Sequence, residues 1–192
     1  MIKIGLTGGI GAGKSVVSEL LRVMGYPVFD TDREAKRLMN ESEELRTQLI
    51  NLFGEETYTA TGLNRPYLAS LIFNDPCALA QMNRLVHPLV RRRFEAWAAA
   101  QESERVFLES AILFESDFHK MLDEIWSVSA PESLRTARVM SRDGVSADRV
   151  KERLSAQLPQ EKKDEMAHHV IFNDGSKPLI PQIFEALQGS HP

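Results

Sequence analysis

The feature that most constrains this chain is the run Gly8-Gly9-Ile10-Gly11-Ala12-Gly13-Lys14-Ser15, which follows an apolar segment, Ile2-Lys3-Ile4-Gly5-Leu6-Thr7. Gly8, Gly13, Lys14 and Ser15 meet the spacing G-x-x-x-x-G-K-[ST], and a strand before and a helix after give that spacing its required setting. The glycines let the backbone turn tightly and aim successive N–H groups at one point, while the N-terminus of the following helix adds partial positive charge. This is a phosphate-binding loop. Its expected nucleotide contacts are Gly9, Ile10, Gly11, Ala12, Gly13, Lys14, Ser15 and Val16. Lys14 would reach the β- and γ-phosphates as a mobile point charge, and the Ser15 hydroxyl would supply one ligand to a Mg²⁺ bridging them.

Downstream of the loop, Val16, Leu20, Leu21 and Val23 recur at helical spacing, Gly25 stands at a C-terminal cap, and Tyr26-Pro27-Val28-Phe29-Asp30 reads as a second strand. Strand, helix, strand with a short return is the unit of a parallel sheet, whose ligand crevice lies at the C-terminal strand ends. Asp30 and Asp32 fall at such an end. Thr31-Asp32-Arg33-Glu34 also fits a capping box, with Thr31 as N-cap and Glu34 at the third helical position. Asp32 therefore has two compatible readings. It complements a helix dipole, and it is placed to accept a proton from an attacking hydroxyl.

Residues 34–103 change character. Helical patterns over Ala35–Asn40, Ser42–Phe53, Pro66–Ile72, Pro76–Val86 and Pro88–Gln101 are separated by turn signals at Gly54, Thr61-Gly62-Leu63-Asn64, Asn74-Asp75-Pro76 and His87-Pro88, with no alternating strand. The segment reads as a helical insertion that would hold an acceptor substrate. Pro88 suits a first helical position and His87 its N-cap, with Val90, Phe94 and Trp97 as one buried face. Arg91-Arg92-Arg93 spans too wide an arc for one ligand. Arg91, one turn from His87, is the member aimed at a substrate phosphate or ribose; a solvated basic face and a structural His-Pro turn is the plain alternative.

Core strands resume at Arg105–Glu109 and Glu124–Ala130, with Glu109 a candidate to hold Mg²⁺ through water and Glu115 a candidate to face the acceptor. Two helices follow, one with Arg135, Arg138 and Arg142, the next with Arg149, Lys151 and Arg153. Arg138 and Arg142 share a face. Such an Arg-lined hairpin resembles the mobile lid of small-molecule kinases, and a solvated basic face is the alternative. A last strand, His168–Phe172, leads to Asn173-Asp174-Gly175-Ser176, a turn placed to flank an adenine, and a helix runs from Leu179 to Leu187. The paired histidines lack a matching metal-ligand set and read as strand residues.

Composition excludes several classes. With 192 residues, 43% hydrophobic and 26% charged, and a net charge of −4, the chain suits one α/β core with insertions and shows no basic excess for nucleic acid. No apolar run approaches the roughly 20 residues that span a bilayer. The first residues already form the core strand, so the expected location is cytoplasmic. Cys77 is the only cysteine, which rules out an internal disulfide.

The ordered set Thr7 through Ser15, Phe29-Asp30-Thr31-Asp32, Asn83-Arg84-Leu85-Val86-His87-Pro88-Leu89-Val90, Ile112-Leu113-Phe114-Glu115, Arg138 through Arg142-Asp143, and Arg153 through Gln157 resembles the dephospho-coenzyme A kinase family over nearly the whole chain. The Asp-x-Asp after the second strand, combined with His-Pro-Leu in the insertion, is the specific part. The resemblance implies a P-loop NTPase fold of class α/β, with a five-stranded parallel sheet flanked by helices, a helical substrate-binding insertion and a helical lid. Residues 1–33, 104–131 and 159–192 would form the nucleotide core, 34–103 the acceptor insertion and 132–158 the lid. It implies transfer of the ATP γ-phosphate to the ribose 3′-hydroxyl of dephospho-coenzyme A. Asp32, Lys14, Arg138 and Arg142 would be catalytic; Gly9 through Val16 and Asn173 would bind ATP, Ser15 with Mg²⁺; Asp32, His87, Arg91 and Glu115 would meet the acceptor. Expected partners are these two small molecules, with no nucleic acid or membrane, in a monomer or weak homo-oligomer. A nucleoside or nucleoside-monophosphate kinase of the same architecture, and a nucleotide-dependent switch, remain as alternatives. Against a guanine-nucleotide switch, no Asn-Lys-x-Asp is present.

Overall fold

A computed structural model describes residues 1–72 and 75–189. Asn74, part of an expected turn, and residues 190–192, assigned to the core, lie outside the described residues. In chain order the regular elements are β1 (Ile2–Thr7), α1 (Lys14–Val23), β2 (Val28–Asp30), α2 (Thr31–Glu41), α3 (Glu43–Phe53), β3 (Tyr58–Thr59), β4 (Gly62–Leu63), α4 (Arg65–Ile72) and α5 (Pro76–Ala99). They continue with β5 (Arg105–Glu109), β6 (Glu124–Ser129), α6 (Glu132–Asp143), α7 (Ala147–Ser155), α8 (Gln160–Glu165), β7 (His169–Phe172) and α9 (Leu179–Gly189). The chain forms two compact units, one of residues 1–30 with the chain from residue 101 onward, the other Thr31–Ala100. No described helix is long and apolar enough to cross a membrane.

The first unit is built on a parallel sheet of order β2-β5-β1-β6-β7. Its strands are near-continuous apolar runs because both faces are covered, as parallel sheets require. Ile4, Leu6, Phe107, Trp126, Val128 and Ile171 are buried there with Val17 and Leu21 of α1 and Ile183 and Leu187 of α9. β1 is central, with β5 on one side and β6 on the other: the connection leaving β1 runs to β2 on the β5 side, whereas the one leaving β5 crosses over to β6. That is the switch point at which open parallel sheets bind ligands, and the phosphate loop is attached there. The ladder sets Leu6 beside Glu109 and Glu109 beside Asp30, placing two carboxylates at adjoining strand ends.

The second unit is helical. Ser42 caps α3, its Oγ accepting from the Leu45 N–H at 3.2 Å. Three expectations are corrected here. His87-Pro88 does not separate two helices: α5 runs unbroken through Pro88, so His87 is a mid-helix residue and not an N-cap. The true cap is Asp75, whose carboxylate accepts from the Cys77 and Ala78 N–H groups. Val86, Val90, Phe94 and Ala98 form one buried stripe on both sides of the proline, and that shared face holds the helix together against a penalty of about 3 kcal/mol for an interior proline. A hairpin, Tyr58–Thr59 against Gly62–Leu63, appears where no strand was expected; two residues a side are too few to show alternation. It is tied to α2 by Tyr58 Oη donating to Met39 O and by Asn40 Oδ1 accepting from Leu63 N–H. Glu34 does not complete a capping box. Its carboxylate binds Arg37 at 2.6 and 3.0 Å and Arg93 at 3.1 Å, joining α2 to α5.

Candidate active site

The loop between β1 and α1 turns on three glycines in the positive-φ region, Gly8 (φ 146°), Gly11 (79°) and Gly13 (95°). Gly13 has a second reason to be glycine, because a Cβ there would collide with Asn173 Nδ2. Several of the loop's peptide planes are gripped from outside. The Gly8 carbonyl accepts from Lys14 Nζ at 2.8 Å, and the Gly9 N–H on the opposite edge of that peptide donates to Gln160 Oε1 at 2.8 Å. Ile10 N–H donates to Gln157 Oε1 at 3.0 Å. On the other half of the loop the Ala12 carbonyl accepts from Asn173 Nδ2 at 2.9 Å, and the Gly11 and Ala12 carbonyls accept from Arg138 at 3.4 Å. A trans peptide points its N–H opposite its C=O. Holding the Ala12 carbonyl outward therefore turns the Gly13 N–H inward, toward the helix start.

These grips come from far along the chain. Gln160 is buried, and its Nε2 donates to Ser127 Oγ, the Val128 carbonyl and Asp164 Oδ1. Asp164 in turn accepts from Ser127 Oγ at 2.6 Å and Ser129 Oγ at 2.7 Å. Arg135, 5% exposed, donates from Nε to the Ala130 carbonyl at 3.0 Å and lays its guanidinium where a Gly9 side chain would stand. Beside this network Lys163 is fully buried, pairs with Glu115 at 3.0 Å and donates to the Ala111 carbonyl. Burial pushes its ammonium below the usual lysine range, with Glu115 opposing that shift. Glu115 also accepts from the Leu158 N–H at 2.7 Å. Its carboxylate is thus engaged inside the first unit. Gln160, Lys163 and Asp164 were not legible as functional. Their only sequence signal is the all-polar helix Gln160–Glu165, which must bury some of its polar side chains beside an apolar strand.

Arg138 and Arg142 occupy different settings on α6. Arg138 is drawn onto the loop and the Asn173 carbonyl, the latter at 2.9 Å. Arg142 is an exposed residue of the last turn and chelates Asp143 at 2.8 and 3.3 Å, and Arg153 of α7 reaches the same carboxylate at 2.7 Å. Arg142, then Arg153, hold the Asp143 carboxyl down to about 2. Asn173, expected near an adenine, also receives its place from the sheet, its N–H donating to the Ser129 carbonyl.

At the strand ends Glu109 accepts from Ser18 Oγ at 2.6 Å. Ser15 and Val16 are exposed in the first turn of α1. Among the described residues no group of three His, Cys, Asp or Glu side chains could cage a metal. A lone hydroxyl beside a loop of amides suits Mg²⁺ that arrives with phosphate oxygens and water, since that ion keeps several waters and takes few protein ligands. In the second unit Asp32 lies in the first turn of α2. His87 and Arg91 are one turn apart on α5; burial first, and the Arg91 charge second, push the His87 imidazolium below its usual 6.5.

A parallel sheet of this order, with a phosphate loop at its switch point, defines a P-loop nucleotide-binding protein. The family model described as dephospho-CoA kinase matches residues 2–178. A dephospho-CoA kinase from Bacteroides fragilis is 44% identical over 187 residues, covering 97% of this chain and 91% of the relative; one from Porphyromonas gingivalis is 40% identical over 192 residues, covering 98% and 94%. A crystal structure from Thermus thermophilus superposes with a TM-score of 0.87 at 39% identity, covering 98% of this chain and 96% of that one. The fold alone is shared with a shikimate kinase from Aquifex aeolicus, at a TM-score of 0.55 and 20% identity over 98% and 97% of the two chains. The chain belongs to the dephospho-CoA kinase family.

Proposed function

We propose that the protein transfers the γ-phosphate of ATP to the ribose 3′-hydroxyl of dephospho-coenzyme A, giving coenzyme A and ADP, and does so in the cytoplasm as a monomer or weak homo-oligomer. The observation that carries this reading is the family match across residues 2–178 in a chain whose phosphate loop has its peptide planes fixed. Phosphoryl transfer asks a protein mainly for positioning and charge stabilisation. The amides of Gly11, Gly13, Lys14 and Ser15 are those a triphosphate would meet, with the Lys14 ammonium sliding from the Gly8 carbonyl to the phosphates. Ser15 would hold Mg²⁺, which when bound offsets charge on the phosphate oxygens. Asp32 orients the 3′-hydroxyl and takes its proton. His87 and Arg91 meet the acceptor.

Residues 132–158 act as the lid. Arg142 leaves Asp143 for the transferring group, while Arg138 stays on the loop and supports it from behind. Glu115 serves by holding Lys163 and the Leu158 amide, and the helical unit from residue 31 to 100 carries the acceptor. ADP release from Mg-ATP, compared across dephospho-coenzyme A, adenosine, nucleoside monophosphates and no acceptor, tests the reading. Release that requires dephospho-coenzyme A, with coenzyme A as product, is expected. Release with another acceptor overturns the substrate, and acceptor-independent hydrolysis overturns the transferase.

A further inference from the structure

Two glutamines, Gln157 between α7 and α8 and Gln160 at the start of α8, occupy loop amides that the sequence pattern assigns to the nucleotide. Gln160 Oε1 takes the Gly9 N–H and Gln157 Oε1 takes the Ile10 N–H. Between them Leu158 donates its own N–H to Glu115, whose other partner is the buried Lys163. Four residues thus bind the first half of the phosphate loop on one side and a buried ion pair on the other. We infer that Gln157 and Gln160 are positioning residues for ATP, holding the Gly9 and Ile10 peptides so that the second half of the loop is presented to the triphosphate already folded. The inference rests on the nucleotide-binding reading above, and it deepens that reading by assigning the loop's preorganisation to named side chains.

The two differ in how firmly they are held. Gln160 is buried and makes its remaining hydrogen bonds to Ser127, Val128 and Asp164, so its acceptor oxygen is fixed by the sheet. Gln157 is half-buried and lines a cavity of about 380 Å³ together with Arg135 and Lys151. Replacing Gln157 therefore disturbs no packed core, and its variant keeps the fold. The Gly9 and Ile10 amides would otherwise be two donors in a glycine-rich segment that samples many backbone states when no ligand is present. Ordering that segment on binding would weaken affinity, and pre-ordering removes the penalty.

The test substitutes Gln157→Met, which keeps side-chain length and removes the acceptor. Amide hydrogen exchange in the nucleotide-free full chain is expected to accelerate at Ile10 about tenfold or more, with Gly9 changed less than twofold. A hydrogen bond of ordinary net strength corresponds to roughly a 2- to 12-fold change in affinity, so Mg-ATP binding should weaken by that factor while dephospho-coenzyme A binding stays within twofold. Gln160→Met should accelerate Gly9 as well and weaken ATP further; should it fail to fold, the Gln157 variant carries the test alone. Unchanged exchange at Ile10, or faster exchange with unchanged ATP affinity, overturns the inference. A wild-type chain that binds no Mg-ATP would instead overturn the nucleotide reading, while leaving the exchange result interpretable.

Discussion

The polar groups around the phosphate loop and those that join α2 to α5 are held in different ways. Among the first, Arg135, Gln160 and Ser129 are under a tenth exposed, and Ser127 and Lys163 are fully buried, close to the loop or to the strands beneath it. Among the second, Arg37 spans Glu34 and Glu41, and Arg93 reaches Glu34, with both arginines substantially exposed. A buried polar atom that loses its partner costs about 1–3 kcal/mol, more if charged, whereas an exposed ion pair contributes about 0–1 kcal/mol. The difference follows from what each region must present. A phosphate loop needs its amides aimed before the ligand arrives, which only fixed internal partners achieve. An exposed helix face that carries no such loop needs no such rigidity.

The contrast can be broken at graded strength. Lys14→Ala, which removes the loop's mobile cation, is expected to weaken both Mg-ATP binding and turnover, with turnover down by at least about a hundredfold; isothermal titration and steady-state kinetics check it. Next in size is Glu115→Ala, which leaves Lys163 buried without its carboxylate. Removing one partner of a buried pair costs about 3–5 kcal/mol, and because Glu115 is itself 26% exposed the lower end is expected in denaturant unfolding. The double variant Glu115→Ala/Lys163→Met should recover most of that loss, whereas Arg93→Ala in the second unit should stay within about 1 kcal/mol.

The smallest effect is a pH dependence at His87. Its folded-state value lies below the usual 6.5 because of burial and Arg91. As pH falls below 6.5 the unfolded chain takes the proton first, so stability declines from there until the folded value is passed, and is level beneath it. His87→Asn should flatten that portion of the stability–pH curve measured by thermal unfolding.

Legibility in the sequence followed the range of the interactions. Gly8, Gly13, Lys14 and Ser15 are local, and they predict β1, the turn and α1 together. The inner strands β1, β5 and β6 were legible because most of their residues are buried on both faces. Pro88 misled because its local effect is to end helices, whereas the stripe Val86, Val90, Phe94 and Ala98 outweighs it through packing. The hairpin at Tyr58 is too short to carry a pattern. Gln157, Gln160 and Asn173 grip the loop across separations of 147, 151 and 161 residues, and nothing in their own neighbourhoods marks the partner. Arg138 and Arg142 looked equivalent on one helix face. Only the fold distinguishes a guanidinium held on the loop's carbonyls from one held by Asp143.

The proposed role of Asp32 is to accept the proton of the attacking hydroxyl. Asp32→Asn tests it most directly, with turnover and Mg-ATP affinity measured on the same preparation. General-base contributions are typically about 10²–10⁴-fold, so turnover on dephospho-coenzyme A should fall by that factor while Mg-ATP affinity changes less than twofold. Turnover within a few-fold of the wild type would contradict the account.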